Sequence, residues 1–358
     1  MGASQPRGPE MTQGLKAIEA SSCTSAQRTP LIDRFGRVHT ALRISVTDRC
    51  NIRCTYCMPE HSMQFLPQHR ILSFDALERF VRAVSKAGVT KIRITGGEPL
   101  MRPNLDQLIA RLAGIAEVED LAITTNGMLL AQYIKALVHA GLKRVNISLD
   151  TLNELTFETI ARRKGLQSVL EGIKAAKGFG QVKLRLNALI LKHVNQNDII
   201  PLARFALASA IPIRFIEFMP LDAEKKWNGS QMLSGQEIRH SIEQEFGPLC
   251  PLENTDPAQP ARDFRFADGN GIIGFIDSVT APFCSHCNRI RLTADGKIQN
   301  CLFGREDWNV AEILRDPHSS DTEILNVVRL ALQHKHPSHG IAEDGFEPPQ
   351  RAMYQIGG

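Results

Sequence analysis

No apolar run in the chain approaches the roughly 18 residues that a membrane-spanning helix needs, so such a span is not expected. The opening thirty residues lack the apolar core of a signal peptide, and a disordered lead-in over 1–37 of a cytoplasmic protein is expected. Met11 is an alternative start within it. The Met-Gly opening is no myristoylation signal, because Pro6 stands where that pattern wants Ser or Thr. Charge of one sign is scarce too. A formal net charge of +4 over 358 residues is too little for general nucleic-acid binding but compatible with an anionic small molecule. No G-x4-G-K-[ST] stretch occurs, which excludes nucleotide binding by a P-loop, and no internal repeat is present.

The chain is 43% hydrophobic, enough for a large core in one domain or two. Short β-branched runs lie at 41–46, 91–95, 120–125, 143–149, 182–191 and 211–218, alternating with helical patterns. Ser73 is placed to cap the helix carrying Phe74, Leu77, Val81 and Val84, and Gly88 to end it. Leu130 to Val138, Val169 to Ile173 and Ile199 to Phe205 mark three more helices. Strands that alternate with helices form a parallel sheet, doubly wound or curled into a partial barrel. In either arrangement ligands sit beyond the C-terminal strand ends. Residues 248–262 are rich in Pro and polar residues and read as a linker or long loop, followed by short strand-like segments.

Eight cysteines in a reducing compartment argue for metal binding before disulfides. Six form two triplets, leaving Cys23 and Cys250 alone. Cys50, Cys54 and Cys57 have C-x3-C-x2-C spacing just after the first strand. Three thiolates within eight residues suit three corners of a cubane iron–sulfur cluster, leaving one iron open for a ligand. The alternative is a zinc knuckle that recruits His61. The second triplet is Cys284, Cys287 and Cys301. His286 lies inside its C-x2-C loop, badly placed to join its neighbours on one metal, so a second open cubane is the better reading. Arg289 and Arg291, two apart, point to the same face if that segment is a strand, which suits a phosphate-bearing substrate. Arg43, Lys91, Arg93, Arg185 and Arg214 sit within strand patterns, where a cation is costly unless paired or facing a ligand. Glu217 and Asp150 are candidate partners. His334, His336 and His339 read as a solvated loop.

The first triplet with its aromatic Tyr56, followed by Gly96-Gly97-Glu98-Pro99 after the second strand, resembles the radical S-adenosylmethionine (SAM) superfamily over about 38–225. The resemblance implies a partial (β/α)6 TIM-like barrel, with 226–358 a C-terminal extension that binds a second cluster. It also implies that the open iron of a [4Fe–4S] cluster chelates SAM and that reductive cleavage yields a 5′-deoxyadenosyl radical. SAM contacts then fall to Tyr56, Gly96, Gly97, Ser148 and Met219. Read without the resemblance, these residues are a turn, a strand-end cap and core. The glycines would let backbone approach the methionyl end closely.

LRISVTDRCNIRCTYCMP (42–59), KIRITGGEPLMR (91–102), ITTNG (123–127), RFIEFMP (214–220), FCSHCNRIRL (283–292) and the terminal Gly-Gly are together similar to the GTP 3′,8-cyclase family of molybdenum-cofactor biosynthesis, lyases that carry two [4Fe–4S] clusters. That similarity implies GTP contacts at Arg43, Arg93, Thr124, Arg185, Arg214, Arg289, Ile290 and Arg291. It gives Arg289, Arg291, Gly357 and Gly358 roles in turnover, with the Gly-Gly tail inserted toward the site rather than frayed. The family has lysine where this chain has Arg185, so the charge transfers but the geometry need not. An electron donor, cyclic pyranopterin monophosphate synthase as the next enzyme, and a homodimer are compatible partners. Nucleic acid and membrane are not expected. Two other readings remain: a radical SAM peptide-modifying enzyme with an auxiliary cluster, which leaves the barrel arginines unexplained, and a non-enzymatic cluster scaffold, which leaves the open sites unexplained.

Overall fold

The computed structural model describes residues 29–357, apart from 62, 254–255, 342 and 344. Gly358, Met11 and Cys23 lie outside the described residues. Residues 29–37, expected within the disordered lead-in, are instead placed against the body: Leu31 joins the core and Ile32 bridges to Val38. An apolar side chain with a core to enter orders the segment that carries it.

Twelve strands run in chain order: β1 (Ala41–Ser45), β2 (Lys91–Thr95), β3 (Asp120–Thr125), β4 (Arg144–Ser148), β5 (Lys183–Ile190), β6 (Ile213–Glu217), β7 (Leu249–Pro251), β8 (Arg262–Phe266), β9 (Ile272–Ile276), β10 (Arg289–Leu292), β11 (Lys297–Gln299) and β12 (Trp308–Asn309). They form one open sheet in the order 12-11-10-1-2-3-4-5-6-9-8-7. β1 to β6 follow one another without reversal, so the architecture is a partial barrel and not a doubly wound sheet. The C-terminal region extends that barrel. β10 pairs parallel to β1 at one edge and β9 parallel to β6 at the other, so eight strands share one direction. The Pro-rich 248–262 stretch, expected as a linker or loop, is not loop throughout: it holds β7 and the first residue of β8, which pair antiparallel.

Period-2 alternation explains why each strand forms and which way it faces. Leu42, Ile44, Ile92, Ile94, Ile123, Val145, Ile147 and Ile290 are buried in the core beneath the helices. Their neighbours Arg43, Arg93, Thr124, Asn146, Ser148 and Arg291 line the lumen. Helices pack outside. In the one at Phe74–Lys86 the Ser73 side chain accepts from the Ala76 N–H at 3.2 Å, and Leu77, Phe80, Val81 and Val84 face inward. A C-terminal helix, Asp321–Gln333, begins at a Ser320–Glu323 capping box, beyond the four helices that periodicity marks. Among the described residues no helix is long and apolar enough to cross a membrane.

Candidate active site

The loop after β1 is held by the loop after β2. Gly97 N–H donates to Thr47 O and Glu98 N–H to Arg49 O, both at 2.7 Å. A Cβ on Gly97 would stand 2.4 Å from Arg49 O, and one on Gly96 2.6 Å from Thr47 O. Both glycines line the cavity under the first triplet. The close approach that needs them, however, is to the backbone leading into Cys50, a role that the motif alone does not reveal. Glu98 itself is buried, accepting from Leu100 N–H, Thr125 Oγ1 and Asn126 N–H at 3.0, 2.7 and 2.7 Å. Burial pushes its carboxyl up to about 7, against the pull of those donors.

Cys50, Cys54 and Cys57 line one cavity with Gly96, Gly97, Thr124, Ser148 and Asp150. Burial raises all three thiols, Cys50 to about 11. Among the described residues no group of His, Cys, Asp or Glu is arranged to hold a metal ion directly. A cubane asks for something different, one thiolate at each of three spaced irons. His61, the zinc alternative, is exposed beside Glu60. The Tyr56 hydroxyl donates to Asp150 at 2.6 Å, and Asp150, raised to about 6 by burial, also accepts from Leu189 N–H at 2.8 Å. Asp150 is thus committed within the first cavity and pairs with no arginine among the described residues.

The cavity continues past Tyr56, Thr124, Ser148 and Asp150, which also border a second space of about 220 Å³. Met219, Cys284, Cys287 and Cys301 line this second space. Burial alone would raise the Cys287 thiol, but Arg289 and Lys335 outweigh it and bring it down to about 6. Alkylation of the iron-free chain with limiting iodoacetamide at pH 7 is therefore expected to label Cys287, mostly thiolate, well before Cys50. Peptide mapping decides it, and faster modification of Cys50 would refute the electrostatic assignment. His339, expected on a solvated loop, instead borders this space, with Nε2 donating to Ser278 O at 2.7 Å.

Strand register sets the arginines in a row. Arg291 lies opposite Arg43, and Arg43 opposite Arg93. Like charges directly opposed repel. Burial comes first and repulsion from neighbouring guanidiniums second in pushing all three below the usual range, Arg93 to about 9 and Arg291 to about 10. Lys91, Arg144, Arg185 and Arg214 continue the charge along the floor. The expected partners are not used. Arg214 pairs with Asp263 at 2.9 Å and Lys91 with Asp256, while Glu217 accepts from the N–H groups of Gly235, Val279 and Thr280. Ile290 packs in the core, so only its backbone can reach the lumen side. The tail enters from the mouth: Tyr354 and Ile356 are buried, and Gly357 O accepts from Arg291 at 2.7 Å.

Family models match at two places: the Radical SAM superfamily over residues 44–206 and Molybdenum Cofactor Synthesis C over 211–341. A GTP 3′,8-cyclase from Rhodopirellula baltica is 47% identical over 92% of each chain. One from Corynebacterium glutamicum is 43% identical over 92% of this chain and 89% of its own, and one from Listeria monocytogenes 41% over 92% and 99%.

The chain belongs to the GTP 3′,8-cyclase family.

The radical SAM fold agrees with solved structures. Streptococcus suis SuiB bound to precursor peptide SuiA covers 87% of this cyclase-family chain and 68% of its own, with a TM-score of 0.56 at 15% identity. That likeness concerns the fold alone, so the peptide in its title does not bear on the substrate here. The family's cofactors are two [4Fe–4S] clusters and SAM, and the donor sets fit them: three thiols at each end of one lumen, with a gap of open lining between.

Proposed function

We propose that the chain converts GTP to (8S)-3′,8-cyclo-7,8-dihydroguanosine 5′-triphosphate, a lyase reaction. The row Arg291–Arg43–Arg93 carries this reading: three opposed guanidiniums, none in an ion pair among the described residues, between two thiol triplets. A triphosphate is the ligand that relieves such a row. Cys50, Cys54 and Cys57 would hold the first cluster, with Gly96, Gly97, Tyr56, Ser148 and Met219 around SAM. Cys284, Cys287 and Cys301 would hold the second. When bound, the first cluster and SAM supply hydrogen-atom abstraction. Arg43, Arg93, Arg289 and Arg291 fix the triphosphate, and with it the ribose, in the lumen between the triplets. The tail at Gly357 fills the mouth and steadies Arg291. An electron donor, and cyclic pyranopterin monophosphate synthase as consumer of the product, complete the proposed setting.

The test is anaerobic incubation of reconstituted protein with SAM, GTP and a reductant. Cyclised nucleotide should form, and about eight irons should be present, four per cubane. SAM cleavage with GTP untouched, or zinc without sulfide, would refute the reading. Arg289→Ala should weaken GTP binding by about 1.5–3 kcal/mol, the range for a hydrogen bond to a charged group, with SAM cleavage retained. Calorimetric titration with GTP measures it, and unchanged affinity would reduce Arg289 to surface charge.

A further inference from the structure

Beside the second triplet lie two buried cations, Arg37 and Lys335, that line none of the cavities described above. Arg37 belongs to a short N-terminal turn, where its Nε donates to Asp33 at 2.6 Å. Its Nη1 donates to Cys284 O at 2.7 Å and Pro337 O at 3.1 Å, and its Nη2 to His336 O at 2.8 Å. Lys335 follows the helix Asp321–Gln333. Its ammonium donates to Arg289 O at 3.0 Å and also to Asn300 O.

These acceptors are not scattered. Cys284 is itself one of the three thiols, Arg289 is two residues beyond Cys287, and Asn300 directly precedes Cys301. Every segment that carries a thiol of the second triplet is therefore tied by its backbone to one of two cations. The ties run from opposite ends of the chain.

Lys335 is the more telling of the two. A buried ammonium with no acidic partner is expensive. Among the described residues its hydrogen bonds go to backbone carbonyls and it has no ion pair, while the neighbouring Cys287 and Cys301 favour its charged form against burial. His39, packed nearby, adds no further charge, because burial and Lys335 push its ring down to about 3. The Lys335 ammonium thus joins the segment after Cys287 to the residue before Cys301.

We propose that Arg37 and Lys335 form a brace that seats the second cluster: both fix the thiol-bearing segments at the spacing a cubane requires, and Lys335, in no ion pair among the described residues, offsets the cluster's negative charge. They are positioning residues that touch neither GTP nor SAM. The proposal rests on the assignment of a cluster to the second triplet, and it predicts where that cluster's stability and potential are set.

The test uses the full-length chain carrying Cys50→Ala, Cys54→Ala and Cys57→Ala, so that after anaerobic reconstitution only the second cluster is present. Lys335→Met and Arg37→Leu are then added separately. Each should speed iron release to a chelator by roughly tenfold or more, as for other partners that orient metal ligands. Lys335→Met should also lower the cluster's midpoint potential in an EPR redox titration, because a lost cation disfavours the more negative reduced state. Arg37→Lys, which keeps the charge and some of the donors, should recover part of the loss. Unchanged release and potential in both variants would overturn the brace. So would faster release matched by equal loss of stability in the iron-free chain, since the residues would then be scaffold only. A parent chain that takes up no iron would instead overturn the cluster assignment, and the brace with it.

Discussion

Cys54→Ser will abolish SAM cleavage, whereas Cys287→Ser will leave SAM cleavage running without product. Cys54 is one of three thiols at its end of the lumen among the described residues, and its neighbours offer no replacement. Asn126 reaches Cys50 through an amide at 3.7 Å, and Asp150 is bound to Tyr56 and Leu189. A serine hydroxyl is a poor substitute, since iron–sulfur clusters are held by thiolates. Cys287 belongs to the other end of the lumen, beside Arg289 at 3.6 Å. Losing it should cost the seating of GTP and nothing at the first triplet. The measurements are methionine and 5′-deoxyadenosine release beside GTP consumption, under anaerobic reducing conditions. Equal loss of both activities in both variants would contradict the division of labour.

Removing the tail will lower product formation by at least about a hundredfold, with iron content and GTP affinity preserved. Misplacement by about 1 Å commonly costs that much in rate. Gly357 adopts φ +72°, a conformation that side-chain-bearing residues rarely take, and a Cβ there would lie 2.2 Å from Thr95 Oγ1. Gly357→Val should therefore act nearly as severely as deletion. The carbonyl of Gly357 accepts from Arg291 alone in the row, so losing the tail should disturb the placement of the ribose while the other arginines keep the triphosphate bound. Product assays on the deletion, on Gly357→Val and on a chain extended beyond Gly358 decide the matter. Normal turnover in the deleted chain would end the idea.

Much of this site is legible in the sequence. The six barrel strands stand within two residues of where the β-branched runs place them, because alternation of apolar and polar residues is a local signal. The two triplets announce themselves by spacing. What stays hidden is long-range. Nothing local says that β9 and β10 join opposite edges of the barrel sheet, since pairing is decided by which edges remain open. The partners of Arg214 and Lys91, Asp263 and Asp256, come from beyond the barrel for the same reason. The motif points Gly96 and Gly97 toward a ligand, when the atoms they accommodate most closely are the backbone of Thr47 and Arg49. Arg37 and Lys335 follow from no motif at all, because each acts through carbonyl groups that every residue possesses.

The pairing of β10 with β1 has a consequence for how the molecule is made. Thr40 and Asn288 share a hydrogen bond across 248 positions of sequence, and Tyr354 packs in one cluster with Met58 beside the first triplet. On the ribosome the triplet Cys50, Cys54 and Cys57 emerges early, yet the segment that covers it is synthesised much later. A nascent chain therefore keeps its first triplet open to iron delivery, and to oxygen, until that segment has emerged. Docking of the helical turn Met353–Ile356 closes that interval, so this corner of the site is the last to be completed in synthesis.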